Sequence, residues 1–262
     1  MIARAHHRQT FAFRLASPAR LAAFTTLILA GGMGATASAQ ATPEDRAAVS
    51  ITAGYQTSQP TFSQSITFEE YSEEGSLTTA YATRRRPVAD AGLTLRLWRR
   101  LGVGVAGSYF HDAGSATVNA LLPNPFVFGQ PRPISGPASV THDELALHLQ
   151  VAYWATLSPR VALIISGGPT VFRVDQDFVS DVTFSHADPF DTATYEGSSV
   201  IRKRQTVTGG NIGGELGWRL ARHLALAGSV RYAHANAVFP DTNADAVPVG
   251  GLHIGAGLHL LF

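Results

Sequence analysis

From residue 47 onward, large apolar side chains recur at every second position in stretches of about ten residues, the period of a strand whose two faces meet different surroundings. In AVSITAGYQ they are Val49, Ile51, Ala53 and Tyr55; in DAGLTLRLW, Ala91, Leu93, Leu95 and Leu97; in LGVGVAGSYF, Leu101, Val103, Val105 and Tyr109. The pattern resumes with Leu145, Leu147, Leu149, Val151 and Tyr153, then with Val161, Leu163, Ile165 and Val171, then with Ile212, Leu216 and Trp218. Leu224, Leu226, Val230 and Tyr232 follow, and GGLHIGAGLHLLF closes the chain with Leu252, Ile254, Leu258, Leu260 and Phe262 on even positions. The pattern predicts eight strands and an all-β fold.

The connections between these strands alternate in length. Three are tight: Trp98-Arg99-Arg100, Leu157-Ser158-Pro159-Arg160 and Ala221-Arg222-His223. The others, 58–87, 113–142, 177–204 and 237–249, are long. An antiparallel up-and-down barrel has two ends, and short turns at one with long loops at the other is the pattern of barrels that cross an outer membrane. Alternation does not say which face is outside, since a soluble barrel places the apolar face inward and a charged face in water. Here the second face is mostly small: Gly102, Gly104, Ala106, Gly209, Gly213, Gly217, Ala225, Ala227, Gly255 and Gly257, and the only lysine is Lys203. Aromatic residues (Tyr55, Trp98, Tyr109, Tyr153, Trp218, Tyr232, Phe262) stand near strand ends on the apolar face, where a membrane interface favours them. The expectation is a transmembrane barrel with the small face inward.

Residues 1–39 read as a secretory signal. Arg4, Arg8, Arg14 and Arg20 precede the apolar run LAAFTTLILA, and Ala37-Ser38-Ala39 fits a cleavage site. Four of the 20 basic residues and none of the 19 acidic ones lie there, so the remaining chain carries a net charge of −3, no profile for nucleic acid. The absence of cysteine excludes a disulfide framework, a thiolate metal site and a cysteine nucleophile. The expected organisation is 1–39 signal peptide, 40–46 a short periplasmic segment and 47–262 the barrel.

With eight strands, alternating connections and the terminal HIGAGLHLLF, residues 47–262 resemble the small outer-membrane β-barrel proteins of Gram-negative bacteria related to the OmpA transmembrane domain and OmpX. The resemblance implies export by the general secretory route, termini and short turns in the periplasm, long loops outside, and a monomer set among outer-membrane lipid and lipopolysaccharide. It also implies that Leu258, Leu260 and Phe262 form the signal read by the barrel assembly machinery. No segment like the family's peptidoglycan-binding domain follows the barrel, so the resemblance supports no tether to the cell wall.

The inward set contains Arg96, Glu144, His148, Gln150, Asn211, Glu215, Arg219, Arg231, His253 and His259, with Asp90 near a strand end. Unpaired charge inside a narrow barrel is costly, so Glu144 and Glu215 are expected to pair with Arg96 and Arg231 in a plug, with His148 and Arg219 in the same polar network. His253 and His259 are six residues apart on one strand, roughly 20 Å at 3.3 Å per residue, too far for one metal ion. No cofactor or metal is expected. Some eight-stranded barrels act on lipid A, but no His-x-Ser or Ser-x-His occurs. His111-Asp112 with Ser115, and His142-Asp143 with Glu144, are acid–base neighbours at strand–loop junctions, where adjacent residues such as His111 and Asp112 point to opposite strand faces. The expected role is therefore non-enzymatic, structural or surface-interactive (envelope integrity, adhesion, contact with host or environment). A narrow pore or small-ligand barrel and a lipid A-modifying enzyme are the alternatives.

The loops are the expected working surface. LLPNPFVFGQPRP holds Phe126, Val127 and Phe128, too apolar for an idle loop, and ITFEEYSEEG is acidic. Asp177, Asp181, Asp188, Asp191 and Glu196 make the third loop acidic, without the ligand spacing of a calcium loop. FVSDVTFS reads as strand, so its ribbon is expected to protrude beyond the membrane.

Overall fold

The computed structural model describes residues 45–262. The signal-peptide reading of 1–39 therefore lies outside the described residues, as does the segment 40–44. The fold is all-β: β1 (Ala47–Gln56), β2 (Thr61–Glu70), β3 (Glu73–Ala82), β4 (Arg86–Trp98), β5 (Leu101–Leu122), β6 (Arg132–Ser158), β7 (Val161–Ser185), β8 (Thr194–Ala221), β9 (Leu224–Ala237) and β10 (Val247–Leu261). Eight of these form an antiparallel ring in the order β5–β4–β1–β10–β9–β8–β7–β6, closed by β6 on β5. The first and last strands meet over Ala48↔Leu261 to Gln56↔His253. Phe262 is held beside them, its N–H donating to the Ala47 carbonyl at 2.9 Å and its carbonyl accepting from Ala47 N at 3.0 Å.

Two strands are additional. β2 and β3 form a hairpin inside the first long connection, turning at Tyr71 and Ser72, both at positive φ (53° and 61°). β3 continues the sheet above β4 by pairing Ser76–Ala80 with Thr117–Leu121 of β5. β2 is tied to the β9–β10 connection, where Asp245 N donates to the Ser63 carbonyl at 2.8 Å.

The second and third long connections are mostly strand. β5 runs to Leu122 and β6 begins at Arg132, so 113–142 is a tall hairpin with an irregular segment at 123–131. β7 and β8 pair out to Ser185↔Thr194, the expected ribbon. The loop reading of 113–142 is thus corrected. Its source is that the alternation never changes phase but its chemistry inverts. Along β5 the inward residues are Gly102, Gly104, Ala106 and Ser108 near the short turns, then Ala116, Val118, Ala120 and Leu122 above them. The outward residues are Leu101, Val103, Val105 and Tyr109 below, then Ser115, Thr117 and Asn119 above. β7 and β8 switch at the same height, from outward Ile165, Val171, Ile212 and Leu216 to outward Arg173, Asp175, Arg202 and Arg204.

An apolar outer belt therefore surrounds the short-turn half, and a water-facing barrel with its own apolar core stands above it. Along β6 the belt extends from Leu145 to Leu157. At about 3.3 Å per residue and a tilt of about 40°, that is roughly 30 Å of height, the thickness of a bilayer's hydrocarbon core. The upper core is aromatic: Phe62 stacks on Tyr81 at 4.5 Å, and Phe178 meets both edge-on at 6.2 and 6.0 Å and Phe239 at 5.0 Å. The β7–β8 ribbon bulges at Val179/Asp181 and bends over this core, burying Phe178, Val179 and Val182.

The β10–β1 seam depends on backbone proximity at Gly257, where a Cβ would collide with the Ile51 carbonyl oxygen. Overpacking costs about 1–3 kcal/mol, here at the closing pair. Gly257→Val is expected to lower the temperature at which the folded, fast-migrating band is lost on unboiled gels, whereas Gly228→Ala, which meets no atom, should leave it in place.

Candidate functional site

Two regions are candidates: the lumen, where sequence reasoning places charge, and the loop tip, where it places apolar residues. The lumen is layered. At the short-turn end Trp154 is buried with Ala48, Ala152, Ile164, Ala225 and Leu261. The guanidinium of Arg96 lies over the Trp154 ring, 4.6 Å from its centroid. Arg219 forms an ion pair with Asp45.

The middle layer holds the charges. Arg231 donates to Asp90 Oδ1 at 2.8 Å and to Glu215 Oε1 at 3.4 Å. His259 Nε2 lies 2.9 Å from Glu215 Oε2, on the side away from Arg231's contact with Oε1. His148 is fully buried between the hydroxyls of Ser108 (3.0 Å) and Thr170 (2.8 Å). Asn211 donates to Thr170 Oγ1 at 2.8 Å and accepts from Gln150 at 3.0 Å. These side chains leave a void of only about 10 Å³ beside Asp90, Glu215 and Arg231, room for at most one water.

Glu144 departs from expectation. It pairs with neither Arg96 nor Arg231; its Oε1 is 2.7 Å from His142 Nε2, and its Oε2 accepts from Gly250 N at 2.7 Å. For Arg96 the reason is height. Arg96 is level with Gly102 and Gly102 with Ala152, eight residues below Glu144 along β6, or roughly 26 Å at 3.3 Å per residue. Gly250 is at φ +77°, and a Cβ there would collide with the Ala233 carbonyl oxygen. That bend turns the Gly250 N–H across the barrel to Glu144 and its carbonyl to Gln56 Nε2, at 3.1 Å. His142 lies above the apolar belt. Burial alone would push its pKa down, but the Glu144 carboxylate and the Gln176 hydrogen bond override this and raise it.

Outside the barrel, at the upper edge of the belt, His111 Nδ1 is 2.5 Å from Asp143 Oδ1, and Arg202 pairs with the other carboxylate oxygen. Sequence reasoning coupled His111 to Asp112 and His142 to Asp143; the directly opposed residues are His111 and Asp143, whose signal lies in the register. Asp112 turns inward to Arg86 Nε at 2.8 Å. Leu258, Leu260 and Phe262 all face outward on the belt.

At the far end, Phe126, Val127 and Phe128 are 74%, 44% and 81% exposed. The segment is held in place. Asn124 Oδ1 accepts from Phe126 N (2.9 Å) and Val127 N (3.1 Å), Gly129 N donates to Glu73, and the Phe126 ring meets Phe190 edge-on at 5.3 Å. Beneath them buried Arg132 donates to the Pro123 carbonyl at 2.8 Å and the Phe190 carbonyl at 3.4 Å. Among the described residues no cluster of histidine and carboxylate side chains is placed to hold a metal ion.

No protein-family model and no curated protein matches the chain. Solved structures similar to it include the outer membrane protein OprG of Pseudomonas aeruginosa (11% identity, 83% of this chain and 97% of that one, TM-score 0.42). Neisserial surface protein A shares 12% identity over 82% of this chain and 97% of its own, at a TM-score of 0.38. The outer membrane protease OmpT of Escherichia coli shares 11% identity over 87% of this chain and all of its own, at 0.46. Likenesses this distant assign no residue a role.

Arg231→Met leaves Asp90 and Glu215 without the guanidinium they share and is expected to cost about 3–5 kcal/mol in denaturant unfolding; adding Asp90→Asn and Glu215→Gln should restore most of it. Tyr81 donates to Gln64 Oε1 at 2.6 Å and accepts from Val179 N at 2.8 Å. Burial pushes its hydroxyl up to about 12 from 10.0. The folded protein then holds this proton more tightly than the unfolded chain, so the stabilisation is complete below pH 10 and declines as pH rises towards 12. Tyr81→Phe should be less stable at neutral pH by about 1–3 kcal/mol and lose less on going from pH 9 to 12, as followed by thermal melts.

Proposed function

We propose that the chain is a monomeric, non-enzymatic protein of the Gram-negative outer membrane that makes surface contacts through its long-loop end. The observation that carries this reading is the inversion of outward chemistry at one height around the ring. In water throughout, the exposed Leu145, Leu147, Leu149 and Val151 would form an uninterrupted apolar wall; in a bilayer the same wall is solvated, and closure leaves no open strand edge within it. The tall barrel above the belt then stands outside the cell, with Phe126, Val127 and Phe128 at its tip. Residues 1–39 direct export by the general secretory route, and Leu258, Leu260 and Phe262 are read by the barrel assembly machinery. Outer-membrane lipid and lipopolysaccharide surround the belt.

The packed lumen supports a structural and interactive role over a pore. Trp154 fills one end, the aromatic core the other, and charge pairs the middle. Cells displaying the chain are expected to attach to a surface that the protein recognises several-fold better than cells displaying the Phe126→Ser/Val127→Ser/Phe128→Ser variant, at equal surface abundance; equal attachment counts against the interaction reading. In planar bilayers the protein should give no stable conductance steps, and a steady step would turn the reading towards a narrow pore.

A further inference from the structure

Deepening that reading, and resting on it, we propose that the loop tip binds a cationic amphipathic segment, a peptide or protein stretch that presents lysine or arginine beside large apolar side chains. Three loops build one surface. The 123–131 segment supplies Phe126, Val127 and Phe128; the Gly129 N–H to Glu73 bond ties it to the β2–β3 hairpin, whose turn exposes Tyr71; and Phe190 of the β7–β8 connection supports Phe126 from the side. The Asn124 turn and the Arg132 clamp fix it, so little ordering entropy is lost when a partner docks. Exposed aromatic anchors on a rigid support are the usual centre of a protein-binding surface.

The charge around these anchors selects the partner. At the hairpin tip Glu69 lies directly opposite Glu74, and Glu70 directly opposite Glu73. Like charges in facing positions destabilise a hairpin, and a bound cationic group relieves the repulsion. Glu69, Glu70, Glu74, Asp188 and Asp191 take part in no ion pair among the described residues. Of the cations above the belt, Arg86 pairs with Asp112, Arg202 with Asp143 and Arg204 with Asp175, and Arg132 is buried under the tip. Arg84, Arg85, Arg173 and Lys203 form no ion pair among the described residues but lie towards the belt, with Arg84 beside Ser115 of β5, seven residues short of Leu122. An apolar centre with an acidic border fits an apolar segment flanked by positive charge, and repels an anionic bilayer or an acidic polysaccharide.

The test uses the full chain in phosphatidylcholine nanodiscs, with empty nanodiscs as baseline. The probes are a fluorescent peptide alternating lysine and leucine and its glutamate–leucine counterpart. The lysine peptide is expected to bind above baseline, and Phe126→Ser/Phe128→Ser to weaken it at least ~10-fold. Glu69→Gln/Glu74→Gln, which leaves the Glu73 contact intact, should weaken it several-fold, and so should raising salt from about 0.05 to 0.3 M. Gel migration before and after heating shows that each variant is folded. Equal binding of the two peptides, equal binding of the lysine peptide by the Phe variant, or preferential binding of vesicles containing phosphatidylglycerol overturns the proposal. Loss of cell attachment in the triple-serine loop variant, without lysine-peptide selectivity, overturns the partner class and leaves the surface-contact reading standing. Lysine-peptide selectivity with unchanged attachment supports the partner class and overturns surface contact.

Discussion

Closure of the backbone ring is the constraint on which the rest of the molecule depends. Because β1 pairs with β10 on one side and β4 on the other, each residue of the ring is assigned to the inside or the outside with no edge left over in the belt. Eight strands fix the interior as a narrow column that side chains fill. The small residues of the lower lumen follow from that width. So do the few charges, each of which needs a partner within reach because water has almost no room there. Arg231 satisfies two carboxylates from opposite sides of the ring, Asp90 of β4 and Glu215 of β8, so the polar layer also ties distant strands together.

Above the belt the same ring meets a different solvent, and the strands answer by reversing which face is apolar while keeping their phase. Reversal avoids a change of register, which would turn every side chain below it to the wrong face. Glu144 stands at the transition. It is the last inward charge on β6 before the apolar core, and it binds both a neighbour on its own strand, His142, and the bent backbone of β10 at Gly250. The bend costs a residue type, since that φ favours glycine and a Cβ there would strike the Ala233 carbonyl oxygen.

Alternation of two made the ring legible in the sequence: strand count, connection lengths and the inward placement of Arg96, Glu144, His148, Glu215, Arg219 and Arg231 all follow from it. Heights did not follow. A period of two says which face a residue occupies but not its level, and level decides that Arg231 meets Glu215 and Asp90 while Glu144 is far above Arg96. Strand length was obscured for a related reason. Ala116, Val118, Ala120 and Leu122 are modest apolar residues separated by Ser115, Thr117 and Asn119, a weak pattern beside the leucine-rich belt. The His111–Asp143 pair needed the β5–β6 register, which no local feature of either strand contains.

The tall upper barrel explains why the loop tip can be both apolar and ordered. A long flexible loop bearing Phe126, Val127 and Phe128 in water would fold them onto itself, since burying each large side chain gains about 1.5–3 kcal/mol. Here the burial sites beneath are already occupied. Leu122, Ile134 and Phe178 fill the upper core, and the Arg132 guanidinium takes the backbone carbonyls of Pro123 and Phe190. With its own interior full and its turn fixed by Asn124, the segment has nowhere to retract. The apolar surface at the tip is thus a consequence of how completely the barrel below it is packed, and it persists for as long as that core does.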